Sequence, residues 1–240
     1  MLNIAHRGFR SKYPENTMIA FKKAFEAGAD GVEFDVHLTK DGEVVIIHDE
    51  RIDRTTDGKG RVQDYTYQEL RQFNAAKGFE LDKEEIPLLE EYLEYVKDID
   101  IVTNIELKTG VYSYLGIEDK VNDLLKKYEL EDKVIISSFN HFSILRMKKI
   151  NPNLQYGLLT DSWMHEPWNY LNSLEVKHYH PSGYGMSEDL IRGIHENGLC
   201  VNVWFGSERW DFEDVIKMGV DAIITDYPDE IDEIKKKLIK

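Results

Sequence analysis

Cysteine is nearly absent from this chain, since Cys200 is the only cysteine among 240 residues. An internal disulfide is therefore excluded, and the cysteine content does not restrict the redox compartment. Cys200 lies in the apolar run LCVNVWF, a position typical of a cysteine that simply fills the core.

Long hydrophobic runs are missing as well. The longest apolar stretches, such as VVII at residues 44–47, span only a few residues, so no transmembrane helix is predicted. Met1 is followed almost at once by the first predicted strand, and no signal peptide is recognised. From these missing signals we expect a cytoplasmic location and no stable membrane insertion.

Basic residues are outnumbered, with 30 Lys and Arg against 45 Asp and Glu, which gives a net charge of −15. This excess of negative charge repels nucleic acid and acidic membranes at long range, so a nucleic-acid partner is not expected. A phosphate-bearing ligand would need a local positive site made by a metal ion together with Arg or Lys. A homo-oligomer is compatible with this composition.

The length and the residue pattern predict one α/β domain over residues 1–240. Eight β-rich runs occur at residues 2–5, 32–38, 102–107, 134–138, 155–159, 177–180, 200–205 and 222–225. Helical patterns occur at 17–27, 88–97, 119–128, 142–150, 188–197, 212–218 and 230–240, and the helix after the fifth run is the least clear. The alternation predicts a parallel sheet, and its count favours closure into a TIM-type (β/α)8 barrel.

One region departs from this alternation. Residues 38–44, LTKDGEV, predict a hairpin with an Asp41-Gly42 turn, and a two-residue loop there would place His48 opposite Asp35. The polar excursion at about residues 50–87 is too long for a plain strand-to-helix loop. We interpret it as a small insertion after the second barrel strand, with a short helix at 67–73 and a position over the barrel mouth.

Three carboxylates lie where barrel strands end. Glu33 and Asp35 are two residues apart on one strand and face the same way, and Glu106 ends the next barrel strand. Inward-facing acids are costly unless a cation neutralises them, and an all-oxygen trio suits Mg²⁺ or Ca²⁺ better than zinc. The alternative is a structural ion network with three nearby cations, namely Arg7, Arg54 and Lys108. Both interpretations stay open on spacing alone.

Two histidines, His6 and His48, are placed at strand ends near these acids. Imidazole titrates near neutral pH, so one ring can accept a proton while the other donates one. Either histidine alone is more typical of a hydrogen-bonded residue at a barrel mouth, but their joint placement favours an acid–base pair. His37, which faces the same way as Asp35, is a weaker candidate for a supporting role.

Two cations and one aromatic residue complete the predicted site. Arg7 offers a fork of donors suited to phosphate, and Lys108 offers a point charge beside Glu106. Trp204, which ends the run VNVW, fits either an apolar wall for a small ligand or an ordinary core or rim tryptophan.

At these residues the chain resembles the glycerophosphodiester phosphodiesterase family. The matching segments are AHRGF, YPENTMIAF, GADGVEFDVHLTKDGEVVIIHDERIDRTTDGKGRV, IPLLEEYL, NIELK, SSFN, NVW and ITDYPDE. They occur in order from residue 5 to residue 230, and although any single segment is weak, the ordered set is highly specific. The resemblance departs after NVW, where family members often continue with Thr, an apolar residue and Asn, and this chain has Phe205-Gly206-Ser207.

The resemblance implies a TIM-type barrel and metal-dependent hydrolysis of glycerophosphodiesters to sn-glycerol 3-phosphate and an alcohol, in glycerol and lipid metabolism. The implied roles are one divalent metal on Glu33, Asp35 and Glu106, acid–base catalysis by His6 and His48, phosphate contacts from Arg7 and Lys108, and Trp204 beside the glycerol moiety. The implied attacking group is the substrate's own 2-hydroxyl, which gives a cyclic phosphate that water then opens. Alternatives are a related enzyme for lysophospholipids or cyclic phosphodiesters, and a non-catalytic barrel that only binds glycerophosphodiesters.

Overall fold

The structure is a computed structural model, and it describes residues 1–207 and 209–238. Its strands are β1 (Leu2–His6), β2 (Gly31–Leu38), β3 (Val44–Ile46), β4 (Val102–Leu107), β5 (Val134–Ser138), β6 (Gln155–Thr160), β7 (His178–Pro181), β8 (Cys200–Trp204) and β9 (Ala222–Thr225). Its α-helices are α1 (Met18–Glu26), α2 (Tyr67–Leu70), α3 (Leu89–Val96), α4 (Ile117–Tyr128), α5 (His141–Ile150), α6 (Pro167–Ser173), α7 (Glu188–Glu196), α8 (Phe212–Lys217) and α9 (Pro228–Leu238).

Eight of these strands form a closed parallel sheet. The strand order runs β1-β9-β8-β7-β6-β5-β4-β2, and β1 pairs with β2 to close the circle. Helices follow the strands on the outside, so the carboxyl ends of all eight strands open at one mouth. The predicted TIM-type barrel is confirmed, and α6 is the helix that the sequence pattern left least clear. The predicted end of the last helix, at residues 239–240, lies outside the described residues.

Successive side chains of each barrel strand face either the surrounding helices or the barrel interior. This alternation determines which residues point into the mouth. Phe34 of β2 points outward and packs against Phe21 of α1 and Tyr92 of α3, with ring centroids 5.4 Å and 4.7 Å away. Because successive side chains of a strand face opposite ways, its neighbours Glu33 and Asp35 point into the barrel. The apolar contact outside thus fixes where the two acids lie.

The hairpin that follows β2 is present, but its predicted pairing is wrong by one residue. Strand β3 runs antiparallel to β2 with Val36 opposite Ile46, so Ile47 rather than His48 comes opposite Asp35. The loop is longer than a two-residue turn, because the Thr39 amide donates to the Glu43 carbonyl at 3.0 Å. The Thr39–Glu43 pair encloses three loop residues, 40–42, and the additional loop residue shifts the register by one.

The excursion over residues 50–87 forms a separate small apolar cluster on the outer side of β3. The cluster members are Val45, Ile47, Ile52, Val62, Tyr67, Leu70, Ala75 and Ile86. Its helix α2 ends at Leu70, earlier than the predicted residue 73. No residue of 50–87 lines the cavity at the barrel mouth, so the excursion flanks the mouth instead of covering it as predicted.

The length and composition of the helices bear on membrane insertion. Within residues 1–207 and 209–238, none has both the length and the apolar character needed to cross a membrane.

Gly31, at the start of β2, is required by close packing of the barrel wall. A Cβ atom there would lie 2.1 Å from the Val102 carbonyl oxygen of β4. We expect Gly31→Ala to lower the free energy of unfolding by about 1–3 kcal/mol, as overpacking does. Gly110→Ala is the matched control, because no atom lies within 4 Å of its added Cβ. Denaturant unfolding measures both, and equal stabilities of the two variants would contradict this packing argument.

Candidate active site

The three predicted carboxylates lie together at the barrel mouth. Adjacent strands β2 and β4 pair Asp35 directly with Glu106, and Glu33 is on the same face of β2. One oxygen from each of the three lies within 4.8 Å of the others, and all three side chains are buried. The structure therefore assembles the trio that strand spacing predicted.

Burial, and after it mutual repulsion, make negative charge on this trio costly. Burial raises the pKa of Glu33 well above its usual value, and the charges of Asp35 and Glu106 raise it further. Burial also raises the pKa of Glu106, against the opposing effect of Lys108. Only Asp35 has a lowered pKa, because neighbouring positive groups outweigh its burial. The mouth thus holds more negative charge than its own side chains neutralise.

The two predicted cations contact the trio, but they do not fully satisfy it. Lys108 Nζ lies 3.0 Å from Glu106 Oε1 and 3.7 Å from Asp35 Oδ1, and Arg7 Nε lies 3.5 Å from Asp35 Oδ2. Among the described residues, Asp35 Oδ1 has no hydrogen-bond partner. A buried all-oxygen set with surplus negative charge and a free oxygen fits a hard divalent cation. The ion-network alternative fits less well, since Arg54 binds Glu15 and not the trio.

The two histidines flank the trio in the same way. His6 Nδ1 lies 2.6 Å from Asp226 Oδ1, and His6 Nε2 lies 4.0 Å from Glu33 Oε2. His48 Nδ1 lies 2.6 Å from Asp49 Oδ1, and His48 Nε2 lies 4.0 Å from Asp35 Oδ1. Each ring is therefore held by an aspartate at Nδ1 and aims Nε2 at the carboxylates. The predicted nearness of His48 to Asp35 is confirmed despite the shifted register.

Neighbouring donors define the tautomers of these rings. Lys108 Nζ lies 3.2 Å from His48 Nε2, and an ammonium group can only donate, so His48 carries its proton on Nδ1. Burial and the charge of Arg7 lower the pKa of His6, which favours its neutral form. His6 then donates from Nδ1 to Asp226. Both rings thus present an Nε2 lone pair to the cavity.

The mouth contains a cavity of about 270 Å³ with one polar and one apolar side. Both histidines, Glu33 and Glu106 line the first side, whereas Phe139, Leu159 and Trp204 line the second. The Trp204 ring packs edge-on against Phe139 at 5.9 Å, and its buried Nε1 has no partner among the described residues. Gly206 and Ser207, where the chain departs from the family pattern, also line the cavity. Trp204 is thus placed to face a ligand.

Several residues near the site were missed by the sequence interpretation. Asp226 follows β9, so the strand-end rule that found the other acids would also have found it. Asp49 is adjacent to His48 in the chain, but its role depends on the ring orientation. Two more, Arg10 and Glu15, lie in the loop after β1, and no periodic signal identifies them.

His37, the weaker candidate, hydrogen-bonds the backbone of His48. Its Nε2 donates to the His48 carbonyl at 2.9 Å, and its Nδ1 accepts from the Tyr114 hydroxyl at 2.9 Å. Burial lowers the pKa of His37 to about 4, so the ring stays neutral and keeps both bonds. His37 therefore holds the backbone of His48.

The fold and the site together define a (β/α)8 barrel protein with two aspartate-bound histidines beside a buried carboxylate cluster at its mouth. Residues 6–230 match the sequence pattern of the glycerophosphoryl diester phosphodiesterase family, and the chain belongs to this family. The membership predicted from the sequence motifs is confirmed.

Curated relatives and a solved structure are similar to this protein over nearly its whole length. Glycerophosphodiester phosphodiesterases of Caldanaerobacter subterraneus subsp. tengcongensis and Bacillus altitudinis are 44% and 41% identical to it, each over 98% of both chains. An Oleispira antarctica phosphodiesterase, solved in complex with the product sn-glycerol-3-phosphate, is 29% identical with a TM-score of 0.88, over 97% of this chain and 96% of that one.

The repulsion at Glu33 leads to a stability prediction. In chelator at pH 7, we expect Glu33→Gln to have a free energy of unfolding ~1 kcal/mol higher than that of the parent, because the substitution removes a buried ionisable group. The variant should therefore unfold at a higher temperature. A raised folded pKa means that the parent loses stability as pH rises from the ordinary glutamate range through that pKa, and the variant should lose less.

The control for Glu33→Gln is Glu118→Gln, since Glu118 is buried but paired with Arg146 at 2.8 Å. That variant should be destabilised. Thermal unfolding in EDTA between pH 4 and pH 8 measures all three proteins. A Glu33→Gln variant that is destabilised as much as Glu118→Gln would contradict the repulsion.

Proposed function

We propose that this protein hydrolyses glycerophosphodiesters to sn-glycerol 3-phosphate and an alcohol, using a divalent metal ion. The observation that carries the proposal is a pair of aspartate-held histidines, His6 and His48, on either side of a buried carboxylate trio in one cavity. Family membership and the product complex of the Oleispira antarctica relative support this choice of substrate. A barrel that only binds diesters has no need of two such dyads.

The metal would be held by Glu33, Asp35 and Glu106, and their oxygen-only chemistry favours Mg²⁺ or Ca²⁺. When bound, such an ion supplies a Lewis acid for a phosphate oxygen and a template for the glycerol hydroxyl. Within this proposal the substrates are small diesters of glycerol and lipid metabolism in the cytoplasm.

The side chains divide the remaining work. Arg7 lines the cavity, Lys108 contacts Glu106 beside it, and both cations neutralise the charge that grows on the phosphate oxygens. One histidine accepts, at Nε2, the proton of the glycerol 2-hydroxyl as that oxygen attacks phosphorus. The bond to the alcohol breaks, and the other histidine, which has taken up a proton from solvent at Nε2 before the reaction, gives that proton to the departing oxygen. Water then opens the cyclic phosphate with the two roles exchanged.

The aspartates and the tryptophan support these steps. Asp226 and Asp49 accept from Nδ1 and stabilise each imidazolium as it forms. Trp204 provides an apolar wall for the glycerol moiety, and its free indole N–H can donate to a glycerol oxygen.

A lysophospholipid is the second candidate substrate. The apolar side of the cavity, formed by Phe139, Leu159 and Trp204, would suit an alkyl chain better than a small polar alcohol. Cyclic phosphodiesters, which match the proposed intermediate, are covered by the same assay.

The substrate proposal predicts chelator-sensitive release of glycerol 3-phosphate. A panel of glycerophosphocholine, glycerophosphoethanolamine, glycerophosphoglycerol and glycerophosphoinositol should give product with Mg²⁺ or Ca²⁺ and little with EDTA. Lysophosphatidylcholine and a glycerol cyclic phosphate belong in the same panel. No release from any of these compounds would overturn the proposal, and release from the lysophospholipid alone would favour the second candidate.

The acid–base proposal predicts large losses at two positions. His6→Ala and His48→Ala should each lower kcat by about 10²–10⁴-fold, the usual contribution of proton transfer. The matched control is His195→Ala, because His195 also pairs with an aspartate, Asp221, at 2.9 Å but does not line the cavity. Steady-state kinetics with glycerophosphocholine measure all three variants. Near-normal turnover of both site variants would show that the assignment is wrong.

A further inference from the structure

Glu15, in the loop between β1 and α1, is surrounded by three arginines. Its Oε1 accepts from Arg7 at 2.9 Å and from Arg54 at 2.7 Å. Its Oε2 accepts from Arg10 at 2.8 Å and from Arg54 at 2.8 Å. The Glu15 side chain is only 8% exposed. Burial would raise the pKa of Glu15, but Arg54, Arg7 and Arg10 together lower it to about 2, so this carboxylate stays ionised.

Two of these arginines extend to the aspartates that hold the histidines. Arg10 donates to Asp226 Oδ2 at 3.0 Å. Arg54 donates to both oxygens of Asp49, from Nε to Oδ2 at 2.7 Å and from its terminal nitrogen to Oδ1 at 3.0 Å. Oδ1 of each aspartate is the oxygen bound to a histidine Nδ1. An unbroken path of hydrogen bonds therefore joins the two rings, in the order His6, Asp226, Arg10, Glu15, Arg54, Asp49, His48.

The donors and acceptors along this path can orient the histidine rings as well as balance charge. Arginine is a planar fork with fixed donor directions, so a carboxylate bound by it has its plane fixed as well. Arg10 holds Asp226 by the oxygen that His6 does not use, and Arg54 holds Asp49 by both oxygens, so each aspartate presents Oδ1 to its imidazole in one direction only. Glu15 is the shared acceptor of both arginines, and without it three positive groups would face each other across a buried space.

We propose that Glu15 is a positioning residue that orients both histidines at once, through Arg10 and Asp226 for His6 and through Arg54 and Asp49 for His48. Its contribution to turnover rests on the proposed function, which assigns those two rings to proton transfer. Arg54 belongs to the excursion over residues 50–87, so the excursion acts on the site through this contact and not by covering it.

The test compares three variants that divide the path. Glu15→Gln keeps the shape but removes the charge from the centre, and Arg10→Gln and Arg54→Gln each cut one arm. Two-bond proton–nitrogen NMR spectra of the histidine rings, recorded at one fixed pH without and with Mg²⁺, report each tautomer and its Nδ1 hydrogen bond. We expect Glu15→Gln to shift the signals of both His6 and His48, Arg10→Gln those of His6 alone, and Arg54→Gln those of His48 alone.

Kinetics and a control separate positioning from plain stability. Glu15→Gln should lower kcat by about 10–100-fold, the range for partners that orient a functional group, with calorimetric Mg²⁺ affinity nearly unchanged. Glu118→Gln removes another buried Glu–Arg pair, far from the cavity, and should move neither histidine nor kcat.

Folded Glu15→Gln that leaves either ring unshifted would overturn the proposal. If that variant does not fold, Arg54→Gln decides, because Arg54 is 44% exposed and its loss should still shift His48; unshifted His48 signals would overturn the proposal. The NMR result does not depend on catalysis. A parent protein that releases no product from any diester would refute the proposed function and leave the positioning test intact.

Discussion

Repulsion among three buried carboxylates at the ends of β2 and β4 is the constraint on which the rest of the mouth depends. Glu33 and Asp35 face inward because Phe34 between them is anchored outside the wall. Each compensating group follows from that placement. Arg7 adopts a left-handed backbone, with φ of 55°, at a cost of roughly 1–2 kcal/mol. In return its amide donates to the Glu33 carbonyl at 2.8 Å and to Glu33 Oε2 at 3.2 Å.

Most of the barrel was predictable from the sequence because its determinants are local. Alternating burial along each strand, helical periodicity and the strand count need no knowledge of distant contacts, and the observed bounds mostly lie within one or two residues of the predicted ones. The carboxylate trio was predictable for the same reason, since Glu33, Asp35 and Glu106 all lie at or near the ends of strands that are neighbours in a parallel barrel.

The remainder of the site depends on contacts that no local pattern encodes. Asp226 reaches His6 across 220 residues, and only the closing pairing of β1 with β9 brings them together. The hairpin register follows from a loop hydrogen bond between Thr39 and Glu43, which the Asp41-Gly42 signal does not specify. Arginine contacts are harder still, because a long flexible side chain can reach many acceptors, and three of them converge on Glu15 only after the excursion has docked.

The two histidines are held by different parts of the molecule, and this difference affects how the site responds to change. His6 belongs to the barrel wall, and its side chain is 12% exposed. His48 follows β3, outside the closed sheet, and is 27% exposed. Its position depends on contacts from three directions: His37 on its carbonyl, Asp49 on Nδ1 and Lys108 on Nε2.

The excursion contacts the His48 dyad through Arg54 and Asp49, whereas His6 belongs to the barrel wall. The proposed proton transfers need both rings within hydrogen-bond reach of one substrate. A charged contact between the excursion and the loop after β1 can hold the His6 and His48 rings in a fixed relative position. The Glu15 carboxylate, with arginines from both regions on its two oxygens, has the geometry that this requires.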